Sequence, residues 1–200
     1  MSALPKSKLT EKQYVAIENA AEFRSEFFDG EMFAMAGASE NHNDVLMNLS
    51  GELHTRLKGG RCRVRVADQR CKVERTGLYT YPDIVIIGGK SVPSADDPLS
   101  IINPTAILEI SSPSTKDYDR GAKFRNYQQI PSLVEYVLVA QDEAVIERFI
   151  RQGDGSWGLV SFVGLDAELA LTSVPVRIPL SEIYSGVTFP DSAGSPIIPR

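Results

Sequence analysis

The chain has 200 residues, of which 42% are hydrophobic and 24% charged, as expected for a globular protein long enough to bury its own core. No apolar run approaches the roughly 20 residues of a membrane-spanning helix, and residues 1–10 lack the apolar region of a signal peptide, so we expect a cytoplasmic protein without membrane contact. The net charge of −5 argues against indiscriminate nucleic-acid binding, although it is compatible with a local basic groove.

The first predicted elements are a helix and a β-hairpin. Thr10 is a suitable N-cap for a helix over 10–20. Asp29-Gly30 is a strong two-residue turn signal in the centre of 23–36, and it predicts a hairpin there. Glu26 lies on the first arm, where the alternation of side chains by itself favours an exposed strand glutamate.

A longer helix is predicted over 40–58. Its apolar side chains recur on one face at helical spacing, namely Val45, Leu46, Leu49, Leu53 and Leu57. His42 lies near its start, close in sequence to the hairpin. A lone histidine at such a place is usually a surface or capping residue, and a role in a site is the alternative hypothesis.

A second hairpin is predicted over 61–75. A four-residue loop, 67–70, would place Val66 opposite Cys71 and create one apolar and one charged face. The charged face carries the basic side chains Arg63, Arg65 and Lys72. The pattern leaves two interpretations open, because such a face is either solvated or suited to contact phosphates.

The stretch 81–111 contains the two most apolar strands, 84–87 and 106–111, and each is associated with one carboxylate. Asp83 precedes the first strand and Glu109 lies inside the second. Because a buried carboxylate needs compensation, Glu109 requires either a lysine or arginine partner or a divalent cation shared with Asp83. Mg²⁺ often binds through one or two carboxylates together with water and substrate phosphate.

Ser112-Pro113-Ser114-Thr115 ends the Glu109 strand and offers capping hydroxyls, and a helix is predicted from there to about Gln129, followed by a β-rich part of the chain. Asp119, Lys123 and Tyr127 lie four residues apart and therefore form one stripe on this helix. Lys123 either pairs with Asp119 on an exposed face or leans towards Asp83 and Glu109. Further strands are predicted at 133–140, 144–151, 157–162 and 175–179, with a helical turn at 181–184.

The order of a Pro-Asp strand, a strand with Glu-x-x and then a helix is that of the PD-(D/E)XK nucleases. Their usual lysine lies two residues after the glutamate, where this chain has Ser111. In a nuclease of this kind, two carboxylates hold a metal ion on the scissile phosphate, and a lysine stabilises the developing charge or orients the attacking water.

More of the chain resembles the bacterial Uma-type family of restriction endonuclease-like proteins. The matching motifs are Glu26-Phe27-Phe28-Asp29-Gly30-Glu31, Met35-Ala36-Gly37-Ala38-Ser39 with His42, Tyr81-Pro82-Asp83, Glu109-Ile110-Ser111-Ser112-Pro113-Ser114-Thr115, Tyr118-Asp119-Arg120-Gly121-Ala122-Lys123-Phe124 with Tyr127, and Ile130-Pro131-Ser132-Leu133 with Glu135-Tyr136. The resemblance implies a PD-(D/E)XK fold of mixed α/β class, with a central mixed β-sheet flanked by helices and an N-terminal hairpin extension. It also implies a relocated catalytic lysine, for which Lys123 is the first candidate and Lys72 the second, an additional acidic ligand in Glu26, and homodimers.

We therefore predict one domain over 1–200, with a core over about 10–185 and a tail over 186–200, that hydrolyses DNA with Mg²⁺ or Mn²⁺. Asp83 and Glu109 are the predicted metal ligands, and Lys123 assists. The predicted phosphate contacts are Arg63, Arg65, Lys72 and Arg120, and the secondary site candidates are His42, Ser111, Asp119 and Tyr127. The alternative is a nucleic-acid-binding or protein-interaction module with little or no catalysis, since a fold does not define a function. RNA or branched DNA is a third possible substrate.

Overall fold

The computed structural model describes residues 8–35 and 37–190. From residue 191 onwards the predicted tail lies outside this range. The helices are α1 (Glu11–Ala20), α2 (Glu40–Leu57), α3 (Lys116–Tyr118), α4 (Phe124–Tyr127) and α5 (Leu180–Ile183), and a π-helical turn over Asp119–Lys123 joins α3 to α4. The strands are β1 (Ser25–Phe28), β2 (Glu31–Ala34), β3 (Cys62–Val66), β4 (Cys71–Val73), β5 (Leu78–Thr80), β6 (Ile84–Gly88), β7 (Ala106–Ser111), β8 (Glu135–Ala140), β9 (Val145–Arg151), β10 (Trp157–Val163), β11 (Glu168–Leu171) and β12 (Val176–Pro179).

A mixed six-stranded sheet forms the centre of the described structure, with the strand order β10-β9-β8-β7-β6-β3. Strands β7 and β8 are parallel, and the other neighbouring pairs are antiparallel. The parallel pair requires a crossover, which the α3–α4 segment supplies. The predicted class, a mixed sheet flanked by helices, is confirmed. Within the described residues, no helix is both long enough and apolar enough to cross a bilayer.

Helix α2 covers one face of this sheet with the apolar stripe that its sequence predicts. Val45, Leu49, Leu53 and Leu57 are buried against strands β6, β7 and β8, and the β11–β12 hairpin and α5 complete the same core. Each buried side chain of this size contributes roughly 1.5–3 kcal/mol. The packing also positions the start of the helix. Ser39 caps α2 and fixes its first turn beside the end of β6.

The opposite face of the sheet packs against the α3–α4 segment. Side chains alternate along β7, so Leu108 and Ile110 face α2, whereas Ile107 and Glu109 face α4. The rings of Phe124 and Tyr136 stack at 4.9 Å and fasten α4 to β8. The carboxylate of Glu109 therefore projects from a buried strand towards the α3–α4 segment.

The N-terminal hairpin is present as predicted, and it belongs to a second sheet of order β2-β1-β5-β4. Asp29 and Gly30 both have positive φ, 48° and 83°, which a two-residue turn of this kind requires. The hairpin has two different faces. One packs Phe27 on Tyr14 of α1 and on Tyr79, while the other carries Glu26.

The predicted hairpin over 61–75 is wrong. Strand β3 pairs with β6, so that Val66 lies opposite Ile84, and β4 pairs with β5 in the other sheet, so that Cys71 lies opposite Thr80. The physical reason is that β6 is buried, so its backbone N–H and C=O groups need a hydrogen-bonded strand on each edge. The chain reverses at Ala67, whose φ is +51°, and leaves the first sheet.

Candidate active site

A cleft of about 540 Å³ opens where the two larger sheets meet. Its walls come from the hairpin, the first turn of α2, the ends of β6 and β7, and the α3–α4 segment. Half of the predicted site residues line it, namely Glu26, His42, Asp83, Glu109, Asp119 and Lys123.

Asp83 and Glu109 lie side by side across strands β6 and β7. The backbone N–H of Ile110 donates to Asp83 Oδ2 over 2.7 Å, and the N–H of Asp83 lies 3.4 Å from Glu109 Oε2. Each carboxylate is thus held by the backbone next to the other. The pairing of two adjacent strands brings together residues that are 26 positions apart in the sequence.

Lys123 reaches this pair from the helical segment. Its Nζ lies 3.0 Å from Glu109 Oε1, 3.2 Å from Glu26 Oε1 and 3.8 Å from Asp119 Oδ1. The lysine side chain is only 8% exposed, so the interpretation of an exposed Asp119–Lys123 pair is wrong. We call Glu26, Asp83, Glu109, Asp119 and Lys123 the charged cluster.

The π-helical turn explains how one short segment supplies several groups to the charged cluster. Asp119 and Lys123 are its first and last residues, and both are buried. Tyr127, four residues further on, donates its hydroxyl to Glu109 Oε1 over 2.8 Å. Tyr136 fastens the turn by donating to the carbonyl of Asp119 over 3.0 Å. Isolated π turns inside helices are frequent at functional sites.

Glu26 is not the exposed strand residue that the alternation favours. Its side chain is 12% exposed and accepts hydrogen bonds from the hydroxyls of Thr80 and, over 3.3 Å, Tyr118. The isolated pattern fails here because the outward face of the hairpin is covered by the α3–α4 segment.

The pKa values in the charged cluster report an excess of buried carboxylates. Burial raises the pKa of Glu109 to about 8, and the nearby Asp83 and Asp119 add to this, while Lys123 acts in the opposite direction. Burial also raises the pKa of Asp119 above its ordinary value. Burial by itself would lower the pKa of Lys123, but Glu109, Glu26 and Asp119 outweigh it and raise that pKa well above its usual range. One ammonium therefore does not compensate the cluster fully.

His42 joins the site from the third residue of α2. Its Nε2 lies 3.2 Å from Asp83 Oδ1, while its Nδ1 is buried without a hydrogen-bond partner in the described part of the chain. A donating Nε2–H can orient the Asp83 carboxylate, as the partners of ligand groups commonly do.

Three other predicted residues do not reach the cleft. Ser111 is buried on the strand that carries Glu109 and is not among the described residues that line the cleft. Lys72 is buried in the second sheet, where its Nζ bonds to Asp96 and lies 3.0 Å from Glu11 Oε2. Lys72 is therefore neither on a solvated basic face nor beside Glu109. Arg120 is 44% exposed, and its Nη1 donates to both carboxylate oxygens of Glu147 at 2.7 Å.

Arg63 and Arg65 are exposed on the edge strand β3. Arg65 lies opposite Val85 and Arg63 opposite Ile87, two and four positions beyond Asp83, so both arginines share the sheet face that Asp83 takes by alternation. Because Lys72 lies in the other sheet, only Arg63 and Arg65 of the predicted charged face share one surface.

The oxygen-rich cluster fits a hard divalent cation such as Mg²⁺. Its acidic members supply oxygen donors alone, and their charge exceeds that of Lys123. Within 8–35 and 37–190, no three His, Cys, Asp or Glu side chains are already arranged to hold an ion. A pair such as Asp83 and Glu109 still suffices for Mg²⁺, which often takes one or two carboxylates and completes its shell with water and phosphate.

Two exposed aromatic side chains of the cleft were not among the site residues predicted from the sequence. Tyr118 and Phe33 both line it. The Asp29-Gly30 turn contained the signal for Phe33, since a two-residue loop between Phe28 and Glu31 places Phe33 opposite Glu26. For Tyr118 the helical spacing gave no signal, because the π turn shifts the register of the segment.

The fold and the cleft define a nuclease-like α/β protein. A solved structure from Anabaena variabilis, described as "a putative nuclease belonging to DUF820", superposes with a TM-score of 0.72 and 17% identity, covering 88% of this chain and 98% of that one. At this identity the likeness establishes the fold alone.

The family follows from the sequence comparisons. A family model, Uma2, described as "Putative restriction endonuclease", matches residues 11–181, and the chain belongs to this family. "Uncharacterized protein slr1290" of Synechocystis sp. is 32% identical over 185 residues, covering 92% of this chain and 96% of that protein. "Uncharacterized protein sll1609" of the same organism is 32% identical over 168 residues, covering 84% and 95%. The predicted Uma-type membership is confirmed.

Proposed function

We propose that the protein is a metal-dependent DNA endonuclease that hydrolyses phosphodiester bonds in the cleft. The observation that carries this proposal is the contact of Lys123 Nζ with Glu109 Oε1 at 3.0 Å, next to Asp83. Lys123 therefore lies beside the two carboxylates, although the position two residues after the glutamate is occupied by Ser111 and not by a lysine. Family membership and the fold support nuclease activity independently of this geometry.

Each residue of the cluster has a distinct role in this proposal. Asp83 and Glu109 would hold Mg²⁺ or Mn²⁺, which when bound polarises the phosphate and lowers the pKa of a water. Lys123 places a positive charge beside the phosphate, where negative charge develops in the transition state. Tyr127 and His42 orient the two carboxylates through their hydrogen bonds.

Glu26 and Asp119 have an indirect role in this proposal. Both lie within 4 Å of Lys123 Nζ, so they keep the lysine charged and fix its position. The lysine would therefore act as a fixed cation and not as a proton donor, which agrees with its strongly raised pKa.

DNA contacts outside the cleft would come from Arg65 and Arg63. They are exposed along β3, and their side of the sheet is continuous with the end that carries Asp83. Arginine suits this role because its guanidinium matches phosphate geometry. Arg120 would have to exchange Glu147 for a phosphate, which makes it the weaker candidate.

The test is nicking of supercoiled plasmid in the presence of Mg²⁺ or Mn²⁺, with wild type, Asp83→Ala, Lys123→Met and Lys116→Met. Lys116 is a suitable control because it is exposed and pairs with Glu143 outside the cleft. Nicking by wild type and Lys116→Met, and its loss in the other two variants, supports the proposal. Activity that survives in Asp83→Ala overturns the assigned metal site.

The alternative function is a nucleic-acid-binding module without catalysis. One observation favours it, because Lys123 already has three carboxylate neighbours and must share its charge among them. The two functions differ in a binding measurement. DNA binding that is equally tight in EDTA, in wild type and in Asp83→Ala, together with no nicking, would establish the module.

We further propose a homodimer formed through β10. This strand is an edge of the six-stranded sheet and carries no charged residue over Trp157–Val163. Long uncharged edges invite pairing with another strand, whereas the opposite edge β3 is protected by Arg63 and Arg65. Exposed apolar side chains follow the open edge and its end, namely Leu159, Val160, Val163 and Leu165. Antiparallel pairing of two β10 strands would satisfy two-fold symmetry.

The dimer is tested by light scattering coupled to size exclusion. Val160→Lys should convert a dimer into a monomer, while Val92→Lys should not, since Val92 is as exposed (44% against 41%) but lies away from this edge. A dimer that persists in Val160→Lys would place the interface elsewhere.

A further inference from the structure

Phe33 lies beside the charged cluster without belonging to a core. It is the cross-strand partner of Glu26 in the β1–β2 hairpin, and directly opposed residues project from the same face. The neighbouring pair Phe27 and Met32 packs on the opposite face, where Tyr14 lies. Phe33 remains 49% exposed on the cleft wall, so packing does not account for an aromatic side chain at this position.

Tyr118 stands on the other side of the same glutamate. Its hydroxyl donates to Glu26 Oε2 over 3.3 Å, and Lys123 Nζ lies 5.9 Å from the centre of its ring. The ring is nevertheless 42% exposed and lines the cleft. We call Phe33 and Tyr118 the aromatic rim, because they border the charged cluster with exposed rings.

The cleft offers few cations for a phosphate backbone. Five carboxylates line it, namely Glu26, Asp68, Asp83, Glu109 and Asp119, whereas Lys123 is the one lysine or arginine among the described lining residues. Three basic residues that flank the cleft are already paired. Arg24 lies 3.5 Å from Asp68, Lys116 lies 3.3 Å from Glu143, and Arg120 bonds to Glu147. Inside the cleft, binding cannot depend mainly on the phosphate contacts that dominate duplex recognition.

We propose that the aromatic rim stacks an unpaired base, so that the substrate class is DNA with unpaired nucleotides at the scissile position. Stacking on aromatic rings needs no cation and tolerates every base, which matches an acidic cleft with exposed rings. In a continuous duplex both faces of each base are already covered by neighbouring base pairs. This inference rests on the proposed nuclease function and specifies its substrate.

The arginines on β3 fit the same arrangement. They lie outside the cleft, on the same sheet face as the Asp83 end of β6. A paired segment can therefore contact Arg65 and Arg63 while the unpaired nucleotide enters the cleft. Substrates that contain both parts, such as flaps, gaps and bubbles, satisfy both surfaces.

The experiment compares three DNAs of one sequence: a duplex, the same duplex with a central bubble, and the single strand. Binding is measured by fluorescence anisotropy in Ca²⁺, and cleavage is measured in Mn²⁺. We expect the bubble and the single strand to bind about tenfold more tightly than the duplex, since one stacked base contributes on this scale. Phe33→Leu and Tyr118→Leu should each remove most of this preference while duplex binding stays unchanged.

Two controls separate stacking from other effects. Phe23→Leu removes an aromatic ring that is 81% exposed and does not line the cleft, so it should keep the full preference. Tyr118→Phe keeps the ring but loses the hydrogen bond to Glu26, so it should also keep the preference. If Tyr118→Phe behaves like Tyr118→Leu, the hydroxyl is responsible and the stacking role of Tyr118 is refuted.

The outcomes distinguish this inference from the nuclease proposal. Equal binding and cleavage of duplex and bubble overturn the inference and leave the nuclease intact. A ring-dependent preference for unpaired DNA without cleavage of any substrate refutes the nuclease, and it overturns the assignment of unpaired DNA as a substrate although the rim still stacks a base. A change of oligomeric state in Phe33→Leu, seen by light scattering, assigns the rim to a contact between two copies and overturns the inference.

Discussion

Replacement of Lys123 by methionine tests the electrostatic logic of the charged cluster in the absence of metal. Methionine keeps most of the volume and removes the ammonium from between Glu109, Glu26 and Asp119, whose oxygens lie 3.0, 3.2 and 3.8 Å away. All four side chains are at most 12% exposed. Removing one partner of such a buried pair leaves uncompensated charge and costs about 3–5 kcal/mol.

The stability lost in Lys123→Met should be larger at high pH than at low pH. Burial raises the pKa of Glu109 from 4.5 to about 8, so ionisation of this group opposes folding increasingly as the pH rises between these values. Lys123 compensates the ionised form. The variant should therefore lose less stability at pH 6, where Glu109 holds its proton, than at pH 9.

Urea unfolding followed by circular dichroism in EDTA measures this loss. A loss of about 3–5 kcal/mol at pH 9 corresponds to a fall in Tm of roughly 6–20 °C for a chain of this length. The matched control is Lys116→Met, which removes the same group from a pair that is 47% and 51% exposed and should cost at most about 1 kcal/mol. If Lys123→Met is as stable as Lys116→Met at pH 9, the ammonium does not stabilise the cluster and our account of the site is wrong.

Three further predictions concern the metal pair, the second lysine and the π turn. We expect Mn²⁺ to raise the Tm of the wild type. Asp83→Asn can still accept from the Ile110 N–H, so it should fold but show a smaller rise; a rise of equal size would contradict the assigned ligand. Lys72→Met should lose about 1–3 kcal/mol in urea unfolding yet keep the plasmid nicking of the wild type, since Lys72 lies outside the cleft; loss of nicking would return it to the catalytic candidates. Gly121→Ala should raise the unfolding free energy by about 0.5–1 kcal/mol, because the added Cβ meets only Arg125 Nη1 at 3.9 Å; a lower stability would mean that the turn requires glycine.

Sequence patterns predicted the elements whose signals are local. The turn at Asp29-Gly30 and the apolar stripe of α2 are both present, since each depends on residues only a few positions apart. The burial of Glu109 in β7 also followed from its apolar neighbours. These features need no knowledge of what the element packs against.

The errors arose where distant segments compete for a strand. The pattern over 61–75 fits a local hairpin, but pairing with β6 buries more apolar surface, so β3 and β4 separate into two sheets. The same separation takes Lys72 out of contact with Glu109. Alternation by itself favoured an exposed Glu26 for a related reason, because the period of a strand shows which residues share a face but not whether another element covers that face.

The proposed relocation of the lysine agrees with the rest of the fold, because the proposed chemistry requires an ammonium beside Glu109 and not a particular element to carry it. A lysine at position 111 would share a strand and a face with Glu109, so β7 alone would position it. The position of Lys123 instead depends on the packing of α4. This packing is secured by the stack of Phe124 on Tyr136 and by the hydrogen bond from Tyr136 to the Asp119 carbonyl. The aromatic core on this face of the sheet therefore belongs to the site as much as the carboxylates do. A search limited to the strand motif finds no lysine at position 111, whereas the fold brings Lys123 Nζ to 3.0 Å from Glu109 Oε1.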